Sequence, residues 1–127
     1  MSTFRDAVLD TLLPGVSGLP AGSMIGLDAS PHAEALREIA NEAGGEASFI
    51  SAPVDKRAEI LRRIEGRAAV QALITAAMMR YYQSETVIAA MGWRTAPPQP
   101  TGHKVIATDA ATWERLDKVK ARGRIWR

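Results

Sequence analysis

At 127 residues, 46% apolar and 24% charged, the chain has the size and composition of one ordinary globular domain, so disorder is not the expectation. It has no cysteine, so disulfides, thiolate metal sites and thiol catalysis are excluded as well. The net charge of +2 is unevenly spread: residues 113–127 hold six Lys/Arg against two Asp/Glu, and the other 112 residues sum to −2.

Phe4, Val8 and Leu12 recur at i, i+4, i+8 with Leu9 and Leu13 beside them, which predicts a helix stopped by Pro14-Gly15. Residues 14–23 carry three Gly and two Pro and read as a loop, and 24–29 is too short to assign. Ser30-Pro31 is a helix start, an N-cap oxygen followed by proline, and Leu36, Ile39, Ala40 and Ala43 keep helical spacing up to Gly44-Gly45. A further start stands at Ser51-Ala52-Pro53, after which Val54, Ala58, Leu61 and Ile64 face one way and Asp55, Lys56, Arg62 and Arg63 face water. Residues 67–82 leave almost no polar face, so this helix is expected to be buried on nearly all sides. A short helix follows over 85–91, with Val87, Ile88 and Met91 inward and Gly92 as its stop. Residues 93–107 read as extended, and a last helix starts near Thr108-Asp109 and runs to about Ala121. The two β candidates, SFIS and HKVIA, are isolated and short. The expectation is all-α: a small bundle of about six helices in a single domain, 1–127, with a proline-rich extended arm before the last helix.

Catalytic signatures are missing. There is no GxGxxG, P-loop, HExxH, EF-hand loop or GxSxG elbow. Glu34, Glu38 and Glu42 share one helical face downstream of His32, but a metal site needs His32 to converge with two carboxylates, and solvation is the simpler role. His103 follows a glycine in the extended arm, where it can touch a partner or hydrogen-bond locally. No catalytic, cofactor-binding or metal-ligating residue is assigned. The basic tail WERLDKVKARGRIWR can meet phosphate, an anionic membrane or an acidic protein, or can be a solvated helix end that suits the helix dipole. Its aromatic and basic mixture also fits a nucleic-acid binder, but the basic residues are confined to one end, so no nucleic-acid partner is expected.

The most informative stretch is 81–103. All three tryptophans and both tyrosines lie after residue 80, and large amphipathic rings favour interfaces. A proline-rich arm is already extended and loses less entropy on docking. Partner contact is therefore expected at Tyr81, Tyr82, Trp93, Pro97, Pro98, Pro100 and His103, with Trp126 and the basic tail as a second clasp. No run is long enough to span a bilayer: the longest near-apolar one, 68–79, has twelve residues against the roughly 20 that are needed.

The same residues resemble subunit 3, the small or gamma subunit, of gluconate 2-dehydrogenase-type enzymes. Tyr81-Tyr82 stands where that family has a paired aromatic closing a helix, Met91-Gly92-Trp93 where it has Leu/Met-Gly-aromatic, and the run from Pro97 to Gly102 where it has a proline-rich segment closed by Gly. LDTLLPG over 9–15 is similar to the family's first helix, 49–64 with Arg57 and Leu61 to its linker helix, and the closing RGRIWR to its end. The resemblance implies a helical, non-catalytic subunit that binds and stabilises a flavoprotein dehydrogenase large subunit of the glucose-methanol-choline type, sometimes with a cytochrome subunit. The partner would carry FAD and oxidise a sugar or sugar acid, and this chain would hold no cofactor. The family's usual twin-arginine signal is not seen, so a cytoplasmic location is expected, with periplasmic co-export on a signal-bearing partner as the alternative. The alternative function is a free-standing helical domain that binds nucleic acid or another protein.

Overall fold

The computed structural model of the chain describes residues 2–96, 99 and 101–124. Among these residues there are seven α-helices, two short 3-10 turns and no strand, so the fold is all-α. They fall into two compact units, Met1–Thr95 and Ala96–Arg127.

In the first unit, helix α1 (Phe4–Leu12) starts on a reciprocal cap. The Asp6 N–H donates to Thr3 Oγ1 at 3.2 Å and the Thr3 N–H donates to Asp6 Oδ2 at 3.2 Å, so two donors otherwise without partners are satisfied. Hydrogen bonding from Thr3 first, then from Arg5, holds the Asp6 carboxyl below its ordinary pKa. After α1 the chain turns back through the 3-10 turn Gly22–Ile25, whose Gly22 N–H donates to Leu13 O at 2.8 Å. A second 3-10 turn, Ser30–His32, leads into α2 (Ala33–Ala43). Gly44, at φ +77°, ends α2, and the Gly45 N–H closes back onto Ala40 O at 2.8 Å.

The next element departs from the sequence expectation. SFIS lies in a helix, α3 (Glu46–Ser51), where a connection was expected, and this raises the count from about six to seven. The reason is tertiary. Phe49 is fully buried, meets the Phe4 ring edge-on at 5.6 Å between centroids, and so fixes this short segment to α1. Arg57 then closes its end: Nε donates to Phe49 O at 3.0 Å and Nη2 donates to Ile50 O. Helix α4 (Val54–Ile64) buries Leu61 and Ile64 as its spacing predicts, but its first turn projects from the core and leaves Val54 exposed.

Helix α5 (Ala68–Gln83) buries only Val70, Leu73, Ala77 and Tyr81. It packs on α2, on both 3-10 turns and on α6 (Glu85–Ala90), all of which cover one side. A unit of this size has too few elements to surround a central helix, so the expectation of burial on nearly all sides is not met. The main core joins Val8, Ile39, Phe49, Ile64, Val70 and Leu73 among others. Each such side chain contributes about 1.5–3 kcal/mol on full burial. A smaller cluster of Ile25, Tyr81 and Val87 pins the end of α5 to the first 3-10 turn and to α6.

In the second unit the described residues include a run without regular structure over 103–109 and helix α7 (Ala110–Ala121). Asp109 caps α7 by accepting the Thr112 N–H at 2.7 Å. None of its described residues is buried. No helix among the described residues is long and apolar enough to cross a membrane.

Candidate functional site

The outward side of α5 is made of Gln71, Ala72, Thr75, Met78, Met79 and Tyr82, all exposed and none charged at neutral pH. The one ionisable cation or carboxylate in the whole helix is Arg80. Solvated helix faces normally carry Lys, Arg, Glu or Asp, and an uncharged face with two methionines and a tyrosine is the composition of a contact surface. Nothing among the described residues encloses a pocket, so this surface offers area and shape rather than a cleft.

The two tyrosines at its end have opposite fates. Tyr81 is 5% exposed, and its hydroxyl donates to Pro20 O at 2.9 Å. It belongs to the core, and the expectation that it meets a partner is corrected on that ground, because successive helix residues point about 100° apart and only one of the pair can face outward. Tyr82 is 55% exposed and stands edge-on to Tyr81, with ring centroids 5.6 Å apart. Trp93 is 66% exposed. Its N–H donates to Ile88 O at 3.0 Å and the Gly92 N–H to Ala89 O at 2.9 Å, so the left-handed turn at Gly92, φ +74°, fixes where the indole leaves α6. Ile88 and Met91 are half-buried and Val87 is fully so, as the spacing of 85–91 predicts.

In the arm, Pro97, Pro98 and Pro100 lie outside the described residues, and so does Trp126. His103 is exposed, and its Nε2 stands 2.6 Å from Gln99 Nε2, a local contact within the second unit. The Gly102 N–H donates to Gln99 O at 3.0 Å and makes the turn that holds the two side chains together.

The carboxylates downstream of His32 do more than meet water. Glu38 pairs with Arg67 at 3.2 Å, and Glu42 reaches Arg63 at 3.6 Å and Arg67 at 3.9 Å, which ties α2 to α4 and to the start of α5. Arg63 also approaches Glu59 at 3.5 Å. Glu59 lies below the ordinary carboxylate pKa chiefly through its hydrogen bond from Lys56. Among the described residues no three His, Asp or Glu side chains come together as metal ligands. Arg57, named with Leu61 in the resemblance but given no role there, carried a signal of its own: Arg57, Leu61 and Ile64 fall at i, i+4, i+7, so a guanidinium sits on the apolar face of α4, where it needs a partner.

No protein-family model matches this sequence, and neither a curated protein nor a solved structure matches it.

Proposed function

We propose that the chain is a non-catalytic accessory subunit that docks on and stabilises a flavin-dependent dehydrogenase of sugars or sugar acids, of the glucose-methanol-choline type. The observation that carries this reading is the uncharged outer face of α5 ending in Tyr82, with Trp93 exposed just past α6. A surface of this kind costs solubility unless another protein covers it. The direction toward a flavoprotein comes from the residues of 81–102 and their resemblance to the small-subunit family. FAD belongs to the partner in this reading, and no residue of this chain is assigned to it. Binding would bury Met78, Met79, Tyr82 and Trp93 as anchors.

The test is co-expression with a flavoprotein dehydrogenase of the glucose-methanol-choline type from the same organism, followed by size exclusion. One yellow, FAD-containing peak that holds both chains is expected. Met79→Glu together with Trp93→Ala should split it, because a charge enters the uncharged face and an anchor ring is lost. Two separate peaks from the wild-type chains would sink the reading.

A further inference from the structure

Helix α7 has an apolar stripe that the described residues of its own unit leave open. Trp113, Leu116 and Lys120 fall at i, i+3, i+7 with Val119 beside them, and Trp113 and Val119 are each 51% exposed. The Lys120 ammonium stands 5.9 Å from the Trp113 ring centroid, so its methylene stem lies along the stripe and extends it. None of the 12 residues of the helix is buried. An isolated helix shorter than about 12–15 residues is marginal in water even for good helix formers, and its stability normally comes from packing an apolar face. The sequence nevertheless specifies this helix, with Asp109 bonded to the Thr112 N–H at its start and Lys118 and Lys120 in its last turn. A capped amphipathic helix whose stripe no described residue of its own unit covers has the form of half a helix pair.

Its charges indicate what the other half is. The first part of the segment holds Asp109, Glu114 and Asp117 with Arg115, and the second part holds Lys118, Lys120, Arg122 and Arg124 with no acid. The segment is thus acidic at one end and basic at the other. Laid antiparallel on an identical helix, each acidic end runs beside a basic end, whereas a parallel pair sets like ends together. We propose that α7 pairs antiparallel with α7 of a second copy of this chain, with the Trp113–Leu116–Val119 stripes packed together and the split charge setting the direction. A two-fold axis near the middle of the helix makes such a contact self-complementary. Apolar burial supplies the affinity and the charges supply orientation. The contact is small against the roughly 1,200 Å² at the lower end of stable interfaces, so the dimer is weak and depends on concentration. An anionic lipid surface fits less well. Glu114 and Asp117 follow Trp113 at i+1 and i+4, whereas helices that lie on such surfaces are rich in Lys and Arg on the polar face. The pairing goes beyond the flavoprotein reading and does not need it, since it uses none of the α5 or α6 surface.

The experiment is sedimentation velocity on the full chain across a wide range of concentration at low salt. The wild type is expected to move from one to two chains per particle, and Leu116→Glu to weaken association about tenfold or more. Two charge variants make the decisive arm: Glu114→Lys with Asp117→Lys, and Lys118→Glu with Lys120→Glu and Arg122→Glu. Each alone should stay monomeric, and an equimolar mixture should dimerise. The melting transition of the first unit, unchanged in every variant, shows that the chains are folded. A wild type that stays monomeric throughout overturns the proposal, as does Leu116→Glu associating like the wild type or a mixture no better than its components. So does a monomeric wild type whose α7 gains helicity only on phosphatidylglycerol-containing vesicles or on duplex DNA.

Discussion

At Gly22 the backbone of the first 3-10 turn lies against the carbonyl of Leu9, and a Cβ there would collide with main-chain atoms that cannot give way. Gly22→Ala is therefore expected to lower stability by about 1–3 kcal/mol, read as a drop in Tm, although alanine is the smallest change that can be made. Tyr81 gives a second test at this scale, because it separates core from surface within one pair of residues. Tyr81→Phe removes the bond to Pro20 O and leaves that carbonyl short of a partner, which should cost about 1 kcal/mol in a denaturant titration and leave partner docking intact. Trp93→Ala should do the reverse, with the melting curve unchanged and docking weakened, since its ring is mostly in water. If both substitutions acted alike, the division of roles between core and surface would be wrong.

Among the elements, helix α7 is one whose stability should follow pH. Asp109 is held below its ordinary pKa by its bonds to Thr112, so the cap favours the charged carboxylate. A carboxyl whose folded-state pKa is depressed stabilises above its unfolded value, and the contribution is lost as the pH falls through the folded value. The backbone signals of α7 are therefore expected to lose helical character on acidification past the ordinary carboxylate range, and Asp109→Asn, which keeps a capping oxygen, should flatten that dependence. Six helices and their ends were legible because caps, prolines and glycines mark them in the sequence. Gly44, Gly92 and Asp109 each stand within two residues of a helix boundary, whereas Ser30-Pro31 opens the 3-10 turn before α2 and Ser30 caps neither element. Helix α3 was not legible, since six residues are too few to establish a period and its order depends on Phe49 meeting Phe4. Nor was the buried side of α5, because a helix apolar all round carries no phase, and only the positions of α2 and α6 decide that Leu73 goes in and Met79 stays out. For the same reason 81–103 could be marked as a surface segment while the choice between Tyr81 and Tyr82 could not be made.

For the whole molecule, the division into two units has an electrostatic side. Residues 1–95 hold nine Lys/Arg against eleven Asp/Glu, and residues 96–127 hold seven against three. The net positive charge thus belongs to the second unit. Limited trypsin treatment should cut first at Lys104, which is exposed in the irregular run before α7, ahead of the arginines in α4 and α5 that are held in helices. The large fragment is expected to keep the melting transition of the intact chain and to stop binding a cation exchanger. Early cleavage inside α4 or α5, seen by mass spectrometry, would contradict this order of stability.

The bond from Tyr81 to Pro20 joins residues 61 apart in sequence. Bringing such distant segments together costs chain entropy that grows as about 1.5RT times the logarithm of the loop length, and it must be met before the contact yields anything. The helices between them, with their local bonds, form without that cost. Folding should therefore end with the loop after α1 settling onto Tyr81, and slow unfolding should begin there. On this order the residue beside Tyr82 would also be the last to become fixed, so the candidate contact surface would gain its final shape only when the loop after α1 has met the fifth helix.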